Sequence, residues 1–210
     1  MNMKKQLFIT LCCMATLPIF GQNPEQLITQ MISLLDKNAL QANFTLALQE
    51  DMIDDPDIYR GTIRMKGNKF HLSMGDSEVY YDGTTQSVYN DEANELTITN
   101  PTADDLAGTN PLLILKQFKR TSNIEFYDKQ QAKDSYIIVF YPKEQYSEIR
   151  KLIVTLRKDN TLPTKLVLEA SRGNVTTLVL TNLKHNQTMD DKTFTITTTQ
   201  YPNAIINDLR

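Results

Sequence analysis

From about residue 43 to the end of the chain, apolar side chains recur at every second position, in short runs broken by turn residues. That period belongs to β-strands with one buried face. The clearest case is GTIRMKGNKFHLSM, residues 61–74. With Gly67-Asn68 as a two-residue turn, Lys66 faces Lys69, Met65 faces Phe70, Ile63 faces Leu72 and Gly61 faces Met74, because loop length sets hairpin register. One face of this hairpin is then wholly apolar. The other pairs Thr62 with Ser73 and Arg64 with His71, the expected wet side of a sheet.

A second hairpin follows at residues 77–90, SEVYYDGTTQSVYN. A four-residue turn around Asp82-Gly83 sets Val79 against Val88, whereas a two-residue turn would set it against Gln86, so the longer turn is preferred. Before these hairpins, Phe44, Leu46 and Leu48 form a first strand, followed by an acidic loop from Glu50 to Asp57. After them, Leu96 and Ile98 share one face of a short strand. Further strands are predicted at 136–141, 150–156, 164–170, 176–182 and 193–198. Asp159-Asn160 and Arg172-Gly173-Asn174 mark turns.

Two segments break the alternation. Asn23-Pro24-Glu25 supplies a cap, a proline at the first helical position and an acid in the first turn, and Leu27, Ile28, Met31, Ile32 and Leu35 follow at helical spacing. This predicts an amphipathic helix over 24–38. Later, Thr102 with Asp105 resembles a capping box, and Leu106 then Pro111 to Leu115 lead to Phe118 in a partly helical insert. The chain is therefore mainly β, an antiparallel meander interrupted by helix. An open twisted sheet of more than about ten strands curls into a barrel or splits.

Lys4 and Lys5 followed by the apolar run Leu7 to Phe20 read as a secretory signal peptide, cut after Gly21. The run falls short of the roughly 20 apolar residues that span a bilayer. Cys12 and Cys13 are the only cysteines and would leave with it; they sit in the middle of the apolar run, without the small preceding residue that lipoprotein processing wants. Residues 22–210 are then expected to form one soluble, unanchored domain without disulfides. The net charge is −3, and losing Lys4 and Lys5 makes the rest more acidic. With no basic cluster, this argues against nucleic acid and anionic membrane as partners.

Chemistry is sparse. His71 and His185 are the only histidines, the first on a polar strand face and the second in a loop rich in Asn and Gln, and both read as surface residues. Two histidines without cysteine make no convincing zinc site. Asp54-Asp55, Asp104-Asp105 and Asp190-Asp191 lack the ligand spacing of a calcium loop and read as solvated turns. No phosphate-binding loop and no nucleophile elbow occurs, so no metal, cofactor or enzyme activity is expected. The sequons at Asn43, Asn174 and Asn186 are short enough to be chance matches.

Several stretches in order resemble the LolA family of periplasmic outer-membrane lipoprotein carriers: the starting helix, Phe44-Thr45, Gly61-Thr62-Ile63 leading to Phe70, Asp82-Gly83-Thr84 leading to Val88-Tyr89-Asn90, Asn110-Pro111 opening the insert, and Lys192-Thr193-Phe194-Thr195. The resemblance covers nearly all of residues 22–210. It implies a LolA-like unclosed antiparallel β-barrel around a hydrophobic cavity, with the helices as a lid. It also implies a partner set: acylated lipoproteins as cargo, an inner-membrane ABC transporter that releases them, and an acceptor at the outer membrane whose identity stays open. On this reading Phe44, Leu46, Ile63, Met65, Phe70, Leu72, Met74, Val79, Tyr81 and Val88 line the cavity as lipid-binding residues. Leu27, Met31, Leu35, Leu112 and Leu115 line the lid. One departure stands out. Where family members carry an arginine that hydrogen-bonds the lid shut, this chain has Gly67, leaving Lys66 or Lys69 as substitutes. Because periodicity does not distinguish a filled core from an open one, two alternatives stay open: a half-barrel for another lipid or amphiphile, and a non-catalytic envelope assembly module with a closed core.

Overall fold

The computed structural model describes residues 23–102, 105–106, 111–127 and 132–210, with the side chains of Pro111 and Leu112 left outside the description. The signal-peptide residues 1–21 and the Leu112 side chain thus lie outside the described residues. Helix α1 (Pro24–Lys37) begins where the sequence places it, with Asn23 Oδ1 accepting from the Glu25 N–H at 2.9 Å. Its apolar stripe, Leu27, Ile28, Met31, Ile32 and Leu35, is buried. Helix α2 (Pro111–Thr121) is the later part of the insert. Ahead of it, Asp105 accepts from both the N–H and the hydroxyl of Thr102, and the Asp105 N–H donates back to that hydroxyl, a reciprocal cap. These bonds hold the Asp105 carboxyl below its ordinary range.

Among the described residues, twelve strands form one sheet: β1 (Ala39–Gln49), β2 (Asp57–Lys66), β3 (Lys69–Met74), β4 (Ser77–Tyr81), β5 (Gln86–Asn90), β6 (Glu95–Thr99), β7 (Ser122–Phe126), β8 (Ser135–Pro142), β9 (Ile149–Arg157), β10 (Pro163–Ala170), β11 (Val175–Gln187) and β12 (Ile205–Asp208). The order β12-β6-β5-β4-β3-β2-β1-β11-β10-β9-β8-β7 leaves β12 and β7 as free ends, so the sheet is unclosed. It is two meanders welded through the long β1·β11 pair rather than one continuous meander. Register slips in that pair fall near Ala42 and at the Ala39 end, and Asn182 and Asn186 take positive φ opposite them. Such bulges bend a strand pair and let a long sheet curl.

The hairpin registers follow their turns. Lys66 faces Lys69 and Gly61 faces Met74, while Val79 faces Val88 across a loop in which Asp82 Oδ1 accepts from the N–H groups of Thr84 and Thr85, both at 2.8 Å.

Four expectations need correction. The predicted strand at 193–198 is instead a pair of 3₁₀ turns, Asp191–Phe194 and Thr198–Gln200. The neighbouring strand β11 already has a partner on each side, and Phe194 leaves the sheet plane to become fully buried. The last strand comes later: β12 pairs in parallel with β6 and hides no apolar face, so it carried no alternation to read. Likewise β7 runs straight on from α2 without a turn signal. His185 lies within β11, opposite Leu40, and not in a loop.

The fourth correction concerns the supposed wet face. On β3 and β4, His71, Ser73, Glu78 and Tyr80 point to the convex side, where His71 is buried. The C-terminal segment crosses over this side. Tyr201 stacks on Tyr89 at 3.7 Å between ring centres, and Phe194, Leu96 and Ser87 are buried with them, a second and smaller core.

Candidate functional site

The main core lies on the concave side, between the sheet and the two helices, and it is not filled. A cavity of about 550 Å³ opens there. One wall comes from β1 to β3 through Leu40, Phe44, Leu46, Leu48, Ile63, Met65, Leu72 and Met74. The opposite wall comes from β9 to β11 through Leu152, Pro163, Leu166, Leu168, Thr176, Leu178 and Leu180. Leu35 of α1 with Ile114 and Leu115 of α2 close one end. Among these residues Thr176 alone has a polar side chain, and none is ionisable. A surface with no charges and a single hydroxyl offers little to a metal or a polar cofactor, and suits an apolar guest.

Local sequence explains the shape. The inward residues of β1 pair with the inward residues of β2: Leu40 with Met65, Ala42 with Ile63 and Phe44 with Gly61. Gly61 is required at that spot because a Cβ there would lie 2.7 Å from the Phe44 ring and 2.0 Å from the Ser73 carbonyl oxygen. The ring of Phe44 therefore occupies the space over Gly61. Met65 and Met74 add unbranched, polarizable side chains that adapt to irregular guests.

Of the sequence-predicted lining, Phe44, Leu46, Ile63, Met65, Leu72 and Met74 meet on the cavity wall, as do Leu35 and Leu115 of the lid. Phe70, Val79, Tyr81 and Val88 share the inner face of the sheet but lie beyond the wall. Phe70 is fully buried against Tyr81, with ring centres 5.5 Å apart. Val88 faces Thr97, in a part of the sheet whose inward residues have turned polar. Leu27 and Met31 are packed solid beneath α1 and do not reach the cavity. Sequence reasoning missed the second wall. Its signal was present in TKLVLEA and TTLVLTN, where Leu166 and Leu168, and Leu178 and Leu180, alternate with Lys165, Val167 and Val179.

The family model described as "Outer membrane lipoprotein carrier protein LolA" matches residues 36–197, more than half of the chain. The chain belongs to the LolA family. No curated protein matches it by sequence. Among solved structures, an uncharacterized conserved protein from Thermus thermophilus has the same fold, with TM-score 0.58 at 10% identity over 89% of this chain and 99% of that one. A LolA superfamily protein from Nitrosomonas europaea aligns with TM-score 0.43 at 11% identity, covering 84% of this chain and 99% of its own. A putative outer membrane lipoprotein-sorting protein domain from Vibrio parahaemolyticus aligns with TM-score 0.43 at 12% identity, covering 82% and 97%.

In this LolA-family chain the basic residues near Gly67 are engaged elsewhere than at the helices. Lys66 and Lys69, expected as substitutes for the family's arginine, bond to the C-terminal segment and not to the helices. Both are tied to Asp191, at 2.9 and 2.8 Å, and Lys66 also donates to the Met189 carbonyl at 3.0 Å. They anchor the C-terminal crossing, and they hold the Asp191 carboxyl down at about 2, chiefly through the Lys69 and Lys66 hydrogen bonds. The helices are instead joined by Lys116 of α2, whose Nζ donates to Asp36 of α1 at 2.6 Å.

A polar cluster that includes a buried histidine lies on the convex side. Arg64 donates to His71 Nδ1 at 3.1 Å, so that nitrogen must be unprotonated, and His71 Nε2 donates to Glu78. Ser73 donates to the other Glu78 oxygen at 2.7 Å. Tyr80 stacks on His71 and is pushed well above the usual phenol range by burial and then by the Glu78 charge. The order is serine, glutamate, histidine, with both ring nitrogens engaged. In this arrangement Ser73 bonds to Glu78 and not to His71.

Proposed function

We propose that this protein binds the acyl chains of lipoproteins in its cavity and carries them through the periplasm from the inner to the outer membrane. The observation that carries the reading is the cavity between the half-barrel and the helices, lined by apolar side chains apart from Thr176. Each CH₂ left in water costs about 0.8 kcal/mol, so one long acyl chain crossing unshielded costs on the order of 10 kcal/mol. A dry pocket removes that penalty without any chemical step. Membership of a family described as lipoprotein carriers supports it. So does the run Leu7 to Phe20 behind Lys4 and Lys5, read as an export signal. Among the described residues no helix is long and apolar enough to cross a membrane. The sequence has no phosphate-binding loop. Extraction of cargo would then draw on a partner, an ABC transporter in the inner membrane, and delivery on an acceptor at the outer one.

One observation favours a second reading. A volume of about 550 Å³ lies in the range of ordinary small-molecule pockets, and would suit a single free amphiphile as well as part of a lipoprotein anchor. Displacement of an environment-sensitive apolar dye separates the two. Displacement by a triacylated lipopeptide, and not by the same peptide without acyl chains, supports the carrier. Displacement by a fatty acid or lysolipid with no effect of the lipopeptide supports the second reading. A dye that never binds removes both.

A further inference from the structure

The inner face of β1 grows more exposed along its length. Leu40 is 4% exposed, Phe44 5% and Leu48 37%. The cavity is therefore sealed at the helix end and open where β1 leaves the sheet. On β2, Tyr59 pairs with Leu46 and is 41% exposed, continuing the apolar rim. Between the two strands lies the loop 50–56. Its Met52 is 97% exposed and Ile53 49%.

This apolar tip is built, not loose. The Asp51 N–H donates to Asn174 Oδ1 at 2.9 Å on the β10–β11 turn, the Ile53 N–H donates to the Glu50 carbonyl at 3.3 Å, and Gln49 Nε2 donates to the Ile53 carbonyl at 3.3 Å. Met52 sits at φ 65°, a left-handed conformation disfavoured for a residue with a Cβ. The loop holds Met52 out in water although an empty apolar cavity opens beside it. Around the tip stand Glu50, Asp51, Asp54, Asp55 and Asp57, with no base between residues 50 and 59. Arg172 on the adjoining turn offsets only part of that charge.

We propose that this loop is the docking element for a protein partner that presents a basic surface around an apolar socket, and that cargo passes at the contact. The inference rests on the carrier reading for the cargo, but not for the contact itself. Charge favours a basic protein over an anionic bilayer, which the five carboxylates repel, and the continuity of tip, rim and cavity puts the contact where an acyl chain can cross.

The test uses the full protein with its cavity saturated by lysolipid, and a labelled amphipathic peptide of leucine and lysine as probe, followed by fluorescence anisotropy. The peptide binds, binding weakens with salt, and the pairs Met52→Ser with Ile53→Ser and Asp54→Lys with Asp55→Lys each weaken it roughly tenfold, as loss of a central anchor does. A leucine–glutamate peptide does not bind. Equal binding by wild type and both variants overturns the proposal. So does binding to vesicles of phosphatidylcholine with phosphatidylglycerol that is lost in the Met52→Ser and Ile53→Ser pair, since the tip would then face lipid. All these changes are exposed and leave apolar dye uptake intact. Failure of the dye to enter wild type would count against the carrier reading alone.

Discussion

The two faces of the sheet at β2 to β4 start from the same alternating sequence and end differently. On the concave side, Ile63, Met65, Leu72 and Met74 look into open space. On the convex side, Arg64, His71, Ser73 and Glu78 bond to one another with His71 buried, and the C-terminal segment adds the fully buried Phe194 to a small core on that side. The apolar face stays unfilled, and the polar face buries a histidine. Binary patterning thus says which side of a strand is greasy, and a separate matter, what other chain comes down on it, says which side is full.

The contrast is open to direct attack. Phe194→Ala should cost about 3–5 kcal/mol, because it empties a close-packed site, and a lowered midpoint in urea unfolding would register it. Next comes Gly61→Ala on the concave side, where the added methyl collides with Phe44 and the Ser73 carbonyl. An overpacking loss of about 1–3 kcal/mol is expected, together with weaker dye binding as Phe44 is pushed aside. Leu178→Ala should matter less, about 1 kcal/mol, since its side chain already borders a void and leaves no new one. If Leu178→Ala proved as damaging as Phe194→Ala, the concave side would be closed in solution and the contrast would vanish.

Smaller effects sharpen the picture. Lys116→Ala removes the half-exposed tie between the helices, worth about 0.2–1 kcal/mol, and should speed dye entry in stopped-flow more than it lowers stability. The Asp191 carboxyl, held at about 2 against an ordinary 3.8, lends the C-terminal crossing support that is fully present above its unfolded value and is lost as the pH falls through about 2. Carboxyl titration by NMR should show that value rising in Lys69→Ala, and rising again when Lys66 is also replaced.

Local chemistry alone determined the starting helix, the registers of both hairpins and the inward direction of Phe44, Ile63, Met65 and Leu72, because a cap or a turn fixes its neighbours within a few residues. Only the tertiary structure decided that Leu166, Leu168, Leu178 and Leu180 would face those residues across a cavity, since β1 and β11 meet over nearly the full length of the chain. The same holds for His71, surface by its strand pattern but buried against Arg64, Glu78 and the Tyr80 ring, and for residues 193–198, whose alternation reads as a strand but which found both edges of β11 occupied. Period-two spacing records an exposed and a hidden side, and carries no record of how far away the covering chain lies or whether it arrives at all.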